Sequence, residues 1–284
     1  MKGTAGFPVR LKYTKQGKVR WISHRDVARA LERAFRITQL PLAFTEGFSP
    51  RPKVSFGLAL STGHESDGEY LDLVFTGPVE LDTLPALLGE ALPAGIDVTD
   101  AVALNDRAPA LQEAVTAVGW KVEVADITAA ELQRHVDAAI TSPTLVIEKR
   151  RKGRDVAEDI RPIIRHLAVL QGVPATVVME LETQPRSAKP GDVLAAMSSM
   201  STGVGLIEAR ALRTHQWIER DGARCEPLDA DTRPTREGTD AGVRSPRELG
   251  ARDRDVVDGR NVDGNGSRIG SGDRTGDEAT PAGV

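Results

Sequence analysis

Between Arg10 and Leu104 the spacing of apolar residues switches back and forth between two and about 3.6, and the order of those switches is the tightest constraint on the fold. Arg10 to Ile22 alternates around Leu11, Tyr13, Val19 and Trp21, with a turn or kink at Lys15–Lys18, and reads as a strand. Ser23 then suits a helix N-cap, with Asp26 three residues on. Val27, Ala30, Leu31, Ala34, Phe35 and Thr38 follow at helical spacing until Leu40-Pro41 ends the run. Val54, Phe56, Leu58 and Leu60 alternate as a second strand, and Leu71, Leu73 and Phe75 mark its partner. Leu84, Leu87, Leu88 and Leu92 fall on one side of a second helix, and Ile96 to Leu104 reads as a last strand. The order β-α-β-β-α-β predicts a ferredoxin-like unit, with helices on one face of an antiparallel sheet.

Asn105 to Leu111 reads as a linker, and the order of elements then repeats. Val115–Val124 is an expected strand, and Thr128 with Glu131 opens a helix to about Ile140. Thr144–Lys149 is a strand followed by the basic turn K-R-R-K-G-R, and Val156–Ile160 continues the sheet or begins a helix. Ile163–Leu170 is expected to be helical, Ala175–Leu181 a strand, Pro190–Met200 a helix and Gly205–Trp217 a final strand. The expected class is α+β: ferredoxin-like units at 1–107 and 108–220, the second decorated. From Asp221, Asp, Arg, Gly, Thr and Pro dominate and aromatic residues are absent, so 221–284 is expected to be a disordered tail.

The net charge of −4 conceals a strong asymmetry. Residues 10–60 hold 11 Lys/Arg against 3 acids, whereas residues 61–142 hold 15 acids against 3 bases. A basic patch inside an acidic chain points to a phosphate-rich or acidic partner. The single cysteine, Cys225, falls in the expected tail, which excludes a disulfide, a cysteine-ligated zinc or an iron–sulfur cluster held by this chain alone. No apolar run reaches membrane-spanning length, and Met1–Arg10 lacks a signal-peptide core, so a soluble cytoplasmic protein is expected.

Arg25, Arg29, Arg33 and Arg36 recur at steps of four, four and three and share one helix face. The loop T-E-G-F-S-P-R-P-K follows, in which Pro50 and Pro52 stiffen the backbone around Arg51, with Lys53 beside it. These six basic residues are the expected nucleic-acid contacts; the competing reading is a solvated helix face with a structural loop. His24 is the candidate general acid or base, with Tyr13 or Lys53 assisting, against a histidine that only positions the loop. His64, Glu65, Asp67 and Glu69 lack the spacing of a calcium loop, and a turn in which Glu65 or Glu69 pairs with an arginine fits them better than a metal. Lys149–Arg154 is a second phosphate contact or a charged hairpin tip. Trp120 and Trp217 read as core anchors, and Trp21 as core or as a base-stacking surface.

S-H-R-D-V-A-R (Ser23–Arg29), E-G-F-S-P-R-P-K (Glu46–Lys53) and G-H-E-S-D-G-E (Gly63–Glu69) together resemble the radical-SAM-linked protein family, a bacterial domain of unknown function. The resemblance spans roughly residues 8–217, and Arg25 stands where that family usually has leucine. It implies a separate radical S-adenosylmethionine enzyme as partner and a link to RNA or ribosome metabolism, and it supplies no activity. The paired units with a G-F-x-P loop are also similar, at the level of fold, to RNA-processing proteins of CRISPR systems.

The expected function is therefore an RNA-binding accessory protein that presents RNA or a ribonucleoprotein to that enzyme, without catalytic activity, cofactor or metal of its own. Two alternatives stand beside it: a metal-independent endoribonuclease using His24, and a scaffold whose basic groove holds an acidic protein.

Overall fold

The computed structural model describes residues 6–105, 108–151, 153–200 and 205–233. β1 (Phe7–Lys15) leads through a 3-10 turn at Gly17–Trp21 into α1 (His24–Ile37). The expected continuation of the first strand to Ile22 is thus corrected: Gly17, at φ 69°, turns the chain, and Trp21 is 64% exposed rather than buried. β2 (Val54–Phe56), β3 (Glu65–Phe75), α2 (Leu84–Gly89) and β4 (Ile96–Ala103) follow. After α3 (Leu111–Ala114) come β5 (Val115–Ala125), α4 (Ala129–Thr141), the hairpin β6 (Val146–Arg151) and β7 (Arg154–Asp159), β8 (Ile164–Leu170), β9 (Thr176–Glu182), α5 (Pro190–Ser199), β10 (Ile207–Arg220) and β11 (Ala223–Cys225).

The class is α+β, with one mostly antiparallel nine-stranded sheet. Its path is β4-β1-β3-β10-β5-β9-β8, with β2 also on β3 and β11 also on β10. The β3–β10 pair is parallel and short, registering Leu212 with Glu65 and Arg213 with Ser66. β6 and β7 form a separate two-stranded sheet. The helix expected over Ile163–Leu170 is instead β8, because Ile164 and Leu167–Leu170 pair along β9, where Leu167 and Val169 join the apolar core.

Two apolar cores line the sheet. In the first, Leu11, Tyr13, Leu71, Leu73 and Phe75 pack under Val27, Leu31, Ala34 and Phe35 of α1 and Leu84 and Leu88 of α2. In the second, Trp120, Val122, Val177, Met179 and Leu181 pack under α4 and α5. The expected strand Val54–Leu60 divides between them. Val54 and Phe56 pack on the first core, whereas Leu58 and Leu60 pack on the second. The chain crosses at Gly57, whose N–H donates to the Tyr70 carbonyl at 2.9 Å.

The boundary expected at residue 221 falls inside folded structure. β11 pairs with β10, and the chain then returns across the face of β1 and β3 that α1 does not cover. There Arg10, fully buried, pairs with Asp72 at 2.6 Å and donates to the Pro227 carbonyl at 2.9 Å. Lys12 and Tyr70 both reach Glu226, at 2.9 and 3.2 Å. Cys225, placed outside the fold by sequence, is half-buried in β11, and burial pushes its thiol up. The remainder of the expected tail, from residue 234, lies outside the described residues.

Candidate functional site

The face of α1 turned away from the core carries the arginine stripe. Ser23 caps the helix: its hydroxyl accepts from the Asp26 N–H at 3.3 Å and donates to the Asp26 carboxylate at 2.7 Å. The Ser23 hydroxyl holds the Asp26 carboxyl below its ordinary value. Arg29 pairs with that carboxylate at 3.1 Å. Arg25, Arg33 and Arg36 are exposed and have no acidic partner within ion-pair distance among the described residues. Glu32 shares their face four residues before Arg36, the spacing that favours a pair, yet the two do not close to 4.0 Å.

Exposed aromatic rings stand at both ends of α1. Near its N-terminus Arg20 lies 4.8 Å over the Trp21 ring, which packs at Gly63. Near its C-terminus Phe44 is exposed, and Phe48 is exposed further along the loop. At about 1.5 Å per residue, the helix separates these ends by about 20 Å.

The loop is anchored rather than draped. The Ala43 N–H donates to the Val74 carbonyl at 2.7 Å, Lys53 to Ala43 at 2.8 Å and Thr45 to Arg51 at 2.8 Å, while the Arg51 N–H donates to the Thr45 hydroxyl at 3.1 Å. Phe44 and Pro52 bridge and face α1. With Glu32, Phe35, Arg36, Gln39, Leu40 and Leu42 they line a cavity of about 380 Å³. Lys53 alternates to the other side of the sheet edge, where it lines a 300 Å³ cleft with Pro8, Ser55, Asp72 and Asn105. The structure therefore unites Arg25, Arg29, Arg33 and Arg36, sets the exposed Arg51 at the end of the loop, and separates Lys53 from the stripe.

His24 is half-exposed at the first turn of α1, its ring edge-to-face with Phe56 at 5.1 Å. Neither expected assistant makes a hydrogen bond or ring contact with it among the described residues. Tyr13 is 2% exposed in the first core, where burial, followed by the Glu69 charge, pushes its hydroxyl well up, and Lys53 faces the opposite side of the sheet.

From Glu65 onward the G-H-E-S-D-G-E segment is strand rather than turn, and Glu65, Ser66, Gly68 and Glu69 are buried near the junction of β3 with β10. Glu65 pairs with Arg210 and accepts from the Gly17 N–H at 2.7 Å. Glu69 pairs with Arg213 at 2.9 and 3.1 Å, and Arg213 also donates to the Leu58 and Ala59 carbonyls at 3.0 and 3.2 Å. Arg213 lies 5.0 Å over Trp120, so one guanidinium touches both halves of the sheet. His64 meets Glu208 at 2.9 Å. Lys15, buried beside them, donates to the carbonyls of Arg20, Ile22 and His64, and burial lowers its ammonium. The pairing expected of Glu65 or Glu69 with an arginine forms at both acids, with arginines 145 and 144 residues away rather than neighbouring ones.

Lys149, on the basic hairpin, pairs with Asp192 at 2.8 Å, while Arg150 and Arg154 are exposed. Trp120 is a core residue. Trp217 is only half-buried, with Arg224 4.2 Å over its ring and His215 stacked at 5.0 Å. The sequence reading missed Glu32, Gln39 and Phe44 as parts of one cavity; the i,i+4 spacing of Glu32 and Arg36 was the available signal.

A family model described as "Uncharacterized protein conserved in bacteria (DUF2344)" matches residues 9–190. The chain belongs to this family. The span of the DUF2344 match holds α1, the loop and the buried acids of β3, and ends at the first residue of α5. No curated protein matches the sequence. Among solved structures, a chain of the "Crystal Structure of a Cbf5-Nop10-Gar1 Complex" is similar at 10% identity and TM-score 0.43, over 74% of this chain and 49% of that one. A chain of the "Structure of H/ACA RNP bound to a substrate RNA containing 2'-deoxyuridine" is similar at 10% identity and TM-score 0.39, over 74% of this chain and 47% of that one. This chain thus spans about half the length of each, and likeness at this level carries no functional inference. No described helix is long and apolar enough to cross a membrane.

Proposed function

We propose that this protein binds single-stranded RNA along α1 and presents it to a separate enzyme. The observation that carries this reading is the stripe of Arg25, Arg33 and Arg36, exposed and without acidic partners among the described residues, on a helix held by a buried face and flanked by exposed Trp21 and Phe44. Guanidinium forks suit phosphates, and aromatic rings at the ends of the track suit bases, which are accessible only in an unpaired strand. Arg51 extends the track at the loop. A radical S-adenosylmethionine protein is the partner enzyme that the motif resemblance supplies, and the cytoplasm is its compartment. The strand orders β4-β1-β3-β2 and β10-β5-β9-β8 support two ferredoxin-like units, residues 1–107 and 108–220, as the scaffold.

The test is binding of labelled single-stranded RNA to the full chain across a salt series. The log–log slope should be about −0.7 per phosphate contacted. Arg25→Ala/Arg33→Ala should flatten it, whereas Lys53→Ala, on the other side of the sheet edge, should not. No binding at low salt would overturn the reading and leave the stripe as a dock for an acidic protein.

A further inference from the structure

The cavity at the C-terminal end of the stripe has a composition that phosphate binding does not require. Its floor is apolar: Phe35 and Leu42 are buried, at 2% and 8% exposure. Its walls are Leu40, Pro52 and the 53%-exposed ring of Phe44. Three polar side chains stand at the rim, Glu32, Arg36 and Gln39. None of the three has a side-chain hydrogen bond or ion pair among the described residues. An apolar slot of about 380 Å³ with a few convergent polar groups lies in the range of small-ligand pockets and admits one planar ring system.

We infer that this slot takes a single guanine base of the bound RNA strand, with Glu32 and Arg36 reading its edges and Phe44 stacking on its face. The inference rests on the RNA reading above and names what that site selects. Guanine presents two adjacent acceptors, O6 and N7, which match the paired donors of a guanidinium. It also presents two adjacent donors, the N1–H and the exocyclic amino group, which match the two oxygens of a carboxylate. Uracil, adenine and cytosine each lack at least one of these adjacent pairs. Glu32 and Arg36 lie one helical turn apart, so an acceptor and a donor fork approach the slot from the same wall. Their failure to pair with each other leaves both free for a ligand. Gln39 sits just beyond the end of α1 at φ 52° and adds an amide at the same mouth. Continuity with the stripe favours a base within a strand over a free nucleotide: Arg36 belongs to both features, and Arg33 and Arg29 lead away from the slot along the helix.

The experiment is fluorescence anisotropy of the full chain with labelled oligo-uridine and with the same strand carrying one central guanine, adenine or cytosine. The guanine strand should bind about tenfold tighter than oligo-uridine, the discrimination of one good bidentate contact. Glu32→Gln should bring the ratio towards one and raise affinity for oligo-uridine, since it removes a negative charge from the track. Phe44→Ala should also lower the ratio. Equal affinity for all four strands, or a preference for adenine or cytosine, would overturn the guanine slot and leave RNA binding standing. Failure to bind any strand would overturn both readings together.

Discussion

Removal of the Glu69 carboxylate should be among the most damaging changes to this protein. Its side chain is 5% exposed and that of Arg213 is 6% exposed, with contacts at 2.9 and 3.1 Å. The pair sits where the backbone offers little, because the parallel β3–β10 contact has only two registered positions. Glu69→Ala leaves the Arg213 guanidinium buried with only the Leu58 and Ala59 carbonyls as acceptors. Breaking a buried ion pair from one side costs about 3–5 kcal/mol. Against a total stability of about 5–15 kcal/mol, that is a large fraction. With a urea slope of about 2–3 kcal/mol/M, the midpoint should fall by about 1–2 M. Arg213→Ala should cost a similar amount, and the double variant should cost less than the sum of the singles by more than about 1 kcal/mol. A Glu69→Ala shift below about 1 kcal/mol, or strict additivity, would show that side chains other than this pair hold the junction.

Three further outcomes follow from other parts of the fold. Gly95→Ala should lower stability by about 1–3 kcal/mol, read as a drop in Tm, because Gly95 has φ 93° and an added Cβ would stand 2.3 Å from the Gln16 carbonyl. Burial pushes the Glu65 carboxyl up, but the Arg210 hydrogen bond and the Gly17 N–H outweigh it and hold the group below its ordinary 4.5. Its stabilisation is therefore present above pH 4.5 and lost as pH falls through the lower folded value; urea titrations from pH 6 downward should show a shallower acid loss in Glu65→Gln. Leu31→Ala, at a fully buried site on the core face of α1, should cost about 2–5 kcal/mol in urea unfolding while leaving the RNA affinity of the folded protein unchanged.

The parts legible in the sequence were those where burial and hydrophobicity coincide. The apolar spacing of α1 and the caps at Ser23 and Thr128 announced two helices, and both caps form. The failures have a common cause. β3 begins at Glu65, but its first half carries Glu65, Ser66, Gly68 and Glu69, all buried, and a polar run inside a sheet has no apolar alternation to announce it. Arg10, Lys15, Arg213 and Gln216 are likewise buried in strands whose partners lie far along the chain. Val54 to Leu60 alternates perfectly and still divides, because alternation cannot say which of two cores a residue enters. Ile163–Leu170, expected to be a helix, is a strand, because a short apolar run carries no period that separates the two and pairing with β9 decides it.

The same contrast separates scaffold from candidate site. Acids and bases that lie buried in β1, β3 and β10 are matched: Glu65 with Arg210, Glu69 with Arg213, and Lys15 with three carbonyls. Desolvated charge must be matched or the fold would lose several kcal/mol per group. Charges on the outer face of α1 are under no such demand, since water screens them. Three of its four arginines nevertheless stand without an acid among the described residues, in a chain whose net charge is −4. Glu32, which could have paired with Arg36 at no cost in backbone geometry, instead borders the same cavity. Solvation alone permits that arrangement, but it does not account for the slot between Phe44 and Phe35 into which Glu32 and Arg36 both open. The proposed base-specific RNA contact would account for the stripe and the slot together, so the affinity ratio between guanine and uridine strands discriminates more sharply than RNA binding itself.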